Sequence, residues 1–216
     1  MSSVKERKLF YDKTLSKIEK LCQRSSSYVL ESYSFGSRIV NIHYPNQLIY
    51  NIIAPAFAHV VIPSDDKPDF TIYLADNHSC QSTLDSLPPS IENLEFFLRS
   101  QPVNSDVCVF TEKQYASVNM IDFSNRTAIF WAYDFNKIPW WFYASPLQGI
   151  FHCWLDRQQL QITHCGVVAT PKGGVVFAGP GGAGKSTTTF TCVRGGMNFV
   201  AEDYGILDVS TAPRMY

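Results

Sequence analysis

Between residues 174 and 187 the chain reads Gly-Val-Val-Phe-Ala-Gly-Pro-Gly-Gly-Ala-Gly-Lys-Ser-Thr, and no other run constrains the fold as much. Val175 to Ala178 are a short apolar stretch of buried-strand type, and the residues after Thr187 suit a helix, so the run predicts strand, glycine-rich turn and helix start. Gly179, Gly184, Lys185 and Ser186 satisfy the pattern G-x-x-x-x-G-K-[ST] in full. Glycines remove Cβ atoms, which lets successive backbone N–H groups turn inward around an anion. A helix that starts there presents its positive end to the same anion. Gly179, Gly181, Gly182, Ala183, Gly184, Lys185, Ser186 and Thr187 are thus the expected cradle for the phosphates of a nucleotide. Lys185 is expected at the terminal phosphates and the Ser186 hydroxyl in the shell of Mg²⁺, which makes a nucleotide and Mg²⁺ the expected ligands.

Composition narrows the classes further. The chain has 216 residues, 45% of them hydrophobic and 17% charged, enough for one large or two small globular domains. The formal net charge is −1, so no broad basic field favours nucleic acid or an anionic membrane. No apolar run approaches the length of a membrane span, and the polar N-terminus lacks the apolar stretch of a secretory signal. The six cysteines are widely spaced and include no C-x-x-C pair. Such spacing fits thiols in a reducing compartment, and a cytoplasmic location is expected.

A pass along the chain predicts a strand-rich N-terminal region, residues 1–140, followed by a nucleotide-binding core, residues 141–216. Residues 4–23 carry Leu9, Phe10, Leu15, Ile18, Leu21 and Cys22 near helical spacing, an amphipathic helix. Strands are expected over Tyr28–Phe35 and Arg38–Tyr44 around Gly36-Ser37, then His59–Ile62, Asp69–Leu74, Cys108–Thr111, Ala116–Phe123 and Thr127–Tyr133. Gln47–Ala58 reads as a helix interrupted or delayed by Pro55, and Ile91–Leu98 as a short helix. Pro139-Trp140-Trp141-Phe142-Tyr143-Ala144 is an aromatic cluster without interleaved basic residues. It is expected in the core or at a subunit interface, the latter making a homo-oligomer. A helix over Ser145–Leu155 and a strand over Gln158–Val168 lead into the glycine-rich run. A further short strand is expected over Phe199–Ala201, and strand character over Ile206–Val209. The fold class is α/β.

A second constellation follows the turn. Phe199-Val200-Ala201 ends on Glu202-Asp203, where the strand after the helix would set an acid beside bound phosphates. Adjacent side chains on an extended backbone point to opposite faces, so the two acids take different partners unless the chain turns there. Tyr204-Gly205 permits such a turn. His164, in an apolar strand, is by itself more typical of a core histidine.

The run from His164 through Gly174–Ser186 to Gly196 and Phe199–Asp203 resembles the catalytic core of the HPr serine kinase/phosphorylase family. It looks more like the bacterial serine-kinase-like proteins that share a phosphoenolpyruvate-carboxykinase-like core. In that family a histidine precedes the phosphate loop and a pair of acids follows it at these spacings, although the first acid there is usually Asp rather than Glu202. The resemblance covers about residues 150–210. It implies a mixed-sheet P-loop core and, because the family's chains run on past the position of Tyr216, a core incomplete at its C-terminus. Lys185 would bind the β- and γ-phosphates, and Ser186 and Glu202 would hold Mg²⁺. Asp203 would accept the proton of a substrate hydroxyl, and His164 would orient Asp203. The implied activity is transfer of the γ-phosphate of ATP to a hydroxyl on a protein or small molecule. The alternatives are a nucleotide-binding regulatory module without turnover and, third, a carboxykinase-type enzyme acting on a small carboxylic acid.

Overall fold

The computed structural model describes residues 2–24, 26–63, 66–87, 106–209 and 213–216. The chain forms two compact units, Met1–Ile150 and Phe151–Tyr216. Together they make an α/β protein with a six-stranded mixed sheet and a second sheet.

The first unit opens with helix α1 (Ser2–Arg24) and strands β1 (Val29–Phe35) and β2 (Arg38–Tyr44). Helix α2 (Gln47–Ile53) follows, then strands β3 (Phe70–Asp76), β4 (Val107–Glu112), β5 (Ser117–Asp122) and β6 (Thr127–Ala132). The spatial order is β1-β2-β3-β6-β5-β4. The pairs β2–β3 and β3–β6 are parallel and the others antiparallel. Parallel central strands are covered on both faces, which is why β6, Thr-Ala-Ile-Phe-Trp-Ala, is buried along almost its whole length rather than at alternate positions.

Alternation still sorts the side chains. Val109, Met120, Ile129 and Trp131 meet Phe10, Tyr11 and Ile18 of α1. Phe130 meets Phe135 and Phe142, with ring centroids 5.8 and 5.3 Å away. Helix α1 turns Phe10, Tyr11, Thr14 and Ile18 inward, a stripe of helical period. Leu9 lies one residue outside that stripe and is 70% exposed, unlike the other apolar residues predicted for this helix. Tyr11 stays polar at one point, its hydroxyl donating to Thr127 Oγ1 at 2.7 Å.

Two predicted elements differ. The helix from Gln47 stops at Ile53, and Pro55 opens a 3₁₀ segment over Ala54–Val60. That winding takes up the first half of the predicted strand His59–Ile62, leaving one bridge between Val61 and Tyr33. Of the aromatic cluster, Phe142 enters the core while Trp140 and Trp141 stay on the surface in a 3₁₀ turn, Trp140 –Ala144. The helix predicted over Ile91–Leu98 lies outside the described residues.

The second unit takes in most of helix α3 (Gln148–Asp156), within which the chain divides. It continues through β7 (Leu160–Thr170), β8 (Gly173–Ala178), α4 (Lys185–Arg194), β9 (Asn198–Ala201), β10 (Tyr204–Asp208) and β11 (Arg214–Met215). Strand β7 is the spine. It pairs antiparallel with β8 through a hairpin closed at Pro171-Lys172, and with β9 and β10 in succession. The mixed pairing of this protein therefore lies in the first unit. Among the described residues every pairing in the second is antiparallel. Its buried apolar centre is small: Cys165, Val167 and Ala201, flanked by Val200 and Met215. Val175, Val176, Phe190 and Phe199 are largely exposed.

The six cysteines are reduced thiols. Among the described residues no helix is long and apolar enough to cross a membrane.

Candidate functional site

The site is built where β8 ends. Strand β8 delivers the chain to Gly179, the turn runs through Gly184, and α4 begins at Lys185. Gly182 and Gly184 have φ of +78° and +84°, a region that side chains with a Cβ seldom adopt, so the turn requires glycine at both. A Cβ at Gly181, Gly182 or Gly184 would point into open space, which leaves the mouth of the turn clear. The backbone N–H groups of Gly182, Gly184, Lys185 and Ser186 donate to no partner among the described residues. Unpaired donors gathered at the start of a helix suit an anion. Ala183 closes the turn by donating its N–H to Pro180 O at 3.2 Å, and Thr187 sits exposed in the first turn of α4.

Helix α4 approaches β7 closely. Thr189, fully buried, lies over Gly166, and its hydroxyl donates to Lys185 O at 3.0 Å. A Cβ built on Gly166 would fall 2.0 Å from Thr189 Oγ1. Gly166 is therefore the position at which the sheet admits the helix that carries Lys185 and Ser186.

The predicted site residues divide into three contacts. Lys185 folds back over the turn, its ammonium donating to Gly179 O at 3.0 Å and Pro180 O at 3.2 Å. The Ser186 hydroxyl donates to Glu202 Oε1. His164 Nε2 lies 3.0 Å from Asp203 Oδ1, with both side chains about half exposed.

A local distortion separates the two acids. Asp203 has φ of +70°, and the Tyr204 N–H donates to Glu202 O at 2.9 Å, a bond spanning two residues. This is a γ-turn of the positive-φ kind, which is rare and strained. It breaks the extended chain between β9 and β10 and sends Glu202 to Ser186 and Asp203 to His164. The Cys165 N–H holds the turn by donating to Asp203 O at 3.2 Å.

Neighbouring groups set the chemistry. Burial pushes the Cys165 thiol above its ordinary value, against opposing pulls from the Gly205 N–H and the Lys185 charge. It is thus a packing residue rather than a nucleophile. The Tyr204 ring stacks on His164, with centroids 5.3 Å apart and planes at 29°. Sequence reasoning assigned Tyr204 to the turn but missed this contact, because it depends on the β7–β10 register that sets Tyr204 opposite His164. The Gly166–Thr189 approach was missed because it depends on how α4 packs on β7. Among the described residues no three His, Cys, Asp or Glu side chains gather into a metal cage.

No family model matches the chain, and no curated protein matches it significantly.

Proposed function

We propose that this protein binds ATP with Mg²⁺ on a P-loop formed by residues 179–187. We further propose that it is a phosphotransferase resembling the HPr serine kinases, moving the γ-phosphate to a hydroxyl acceptor. The observation that carries the reading is the convergence of the sequence pattern. Lys185 and Ser186 at the helix start, Glu202 on Ser186, and Asp203 on His164 meet at one end of the second unit.

The residues fit the expected ligands. The open turn with its unpaired N–H groups suits phosphate oxygens, and the Ser186 hydroxyl beside the Glu202 carboxylate suits a hard cation that keeps several waters. Mg²⁺ held there would neutralise charge on the transferring phosphate. Lys185 would exchange its two loop carbonyls for phosphate oxygens, replacing dipoles with full charges. Asp203 would take the proton from the acceptor hydroxyl, and His164 would hold the carboxylate in line. The attacking oxygen would then bond to the γ-phosphorus as the bond to the ADP oxygen breaks.

The test measures transfer from γ-labelled ATP to a panel of hydroxyl acceptors and to water. Lys185→Ala and Asp203→Asn should each abolish it with the circular dichroism spectrum unchanged. Retained transfer in either variant refutes the assigned roles. The exposure of His164 and Asp203 favours a second reading, a nucleotide-binding module without turnover, since a catalytic base usually works in a drier site. Calorimetry showing tight MgATP binding without transfer to any acceptor would select it.

A further inference from the structure

His164 is held by fewer bonds than an orienting imidazole needs. Its Nε2 meets Asp203 Oδ1, while its Nδ1 has no partner among the described residues. In most such pairs the second ring nitrogen is also hydrogen-bonded, and that bond fixes tautomer and ring orientation. One bond fixes a point and not a plane. The ring can pivot about it, because the terminal torsion of histidine is broad.

The plane is fixed from elsewhere. Tyr204 is the Cα partner of His164 in the β7–β10 ladder, and its ring lies against the imidazole. The Tyr204 hydroxyl has no partner among the described residues, so the contact is made by the ring face alone. Two consecutive residues, Asp203 and Tyr204, thus reach the same imidazole, which an extended chain forbids. The positive φ at Asp203 makes it possible.

We propose that Tyr204 is a positioning residue that sets the plane of His164, so that Nε2 faces the Asp203 carboxylate. The proposal rests on the reading of Asp203 as the base. It requires a flat side chain at position 204 and no hydroxyl.

The experiment uses the full chain with Tyr204→Phe, Tyr204→Leu and Tyr204→Val, the last a strand-favouring side chain should Leu weaken the fold. Nitrogen NMR of the imidazole reports tautomer and hydrogen bonding at His164. Release of phosphate from γ-labelled ATP to water gives kcat and KM. Phe should keep the wild-type imidazole signals and rate. Leu and Val should give signals averaged between tautomers and a kcat lower by about 3- to 10-fold, with KM for MgATP unchanged. Wild-type signals in Leu and Val overturn the proposal, as does a Phe variant that behaves like Leu. Should the wild-type chain transfer phosphate neither to water nor to any hydroxyl acceptor, the proposed reaction falls while the NMR comparison still decides the role of Tyr204.

Discussion

Replacing Gly166 with alanine tests whether the sheet-to-helix approach positions the site. The new Cβ would sit 2.0 Å from Thr189 Oγ1 and 3.2 Å from Thr189 Cβ, whereas ordinary contact begins near 3.4 Å. Subtracting, the helix must retreat by about 1.4 Å, or Thr189 must rotate and give up its bond to Lys185 O. Gly166 has no positive φ, so backbone strain contributes nothing and the effect is steric. Overpacking of this kind costs about 1–3 kcal/mol. Displacing the start of α4 by about an ångström should weaken MgATP binding about tenfold or more. Urea unfolding should show a lower midpoint at unchanged slope, and titration calorimetry the loss of affinity. Thr189→Ala removes the clashing oxygen, so the double variant should recover about 1–2 kcal/mol relative to the sum of the single costs. A neutral Gly166→Ala, or strictly additive costs, would refute the argument.

Two further outcomes concern other parts of the chain. Burial pushes the His43 imidazole down to about 4, stacked on Tyr73 at 4.2 Å and bonded to the Tyr28 hydroxyl. Its folded value lies below the unfolded one near 6.5, so the unfolded chain binds the extra proton. Stability from this group is complete above the unfolded value and is lost as pH falls towards 4. Between pH 7 and 4.5 the loss should be about 2–3 kcal/mol, and His43→Phe should lack that slope in urea titrations at the two pH values. At Asp203, asparagine tolerates the left-handed backbone better than alanine does. Asp203→Ala should therefore lie about 1 kcal/mol below Asp203→Asn in stability, and equal melting midpoints would remove strain from the account of this turn.

The sequence made some elements legible because each rests on local chemistry. Glycine spacing and the Lys185-Ser186 pair marked the turn and the helix start. The Gly36-Ser37 hairpin signal marked Arg38–Tyr44, and strand character over Cys108–Thr111 and Thr127–Tyr133 marked two more strands. Effects of register and of sign were hidden. The parallel neighbours β2–β3–β6 are brought together by tertiary packing that local periodicity does not encode. Residues 59–62 have strand composition, yet the 3₁₀ segment that begins at Ala54, with Pro55 next, winds up the chain to Val60 before a strand can start. Glu202 and Asp203 could be read as a pair. Which acid meets which partner depends on one φ, and aspartate accepts either sign often enough that composition does not decide it. Tyr204 became a site residue only once β10 was aligned on β7.

The inverted torsion at Asp203 also has a bearing on how this segment can vary. A strand assigns its residues to two sides by odd and even count, and the turn resets that count between Glu202 and Tyr204. The length of the segment from Ala201 to Gly205 is consequently fixed in parity as well as in reach. Gaining or losing one residue there would shift β10 by one place against β7 and take Tyr204 out of register with His164.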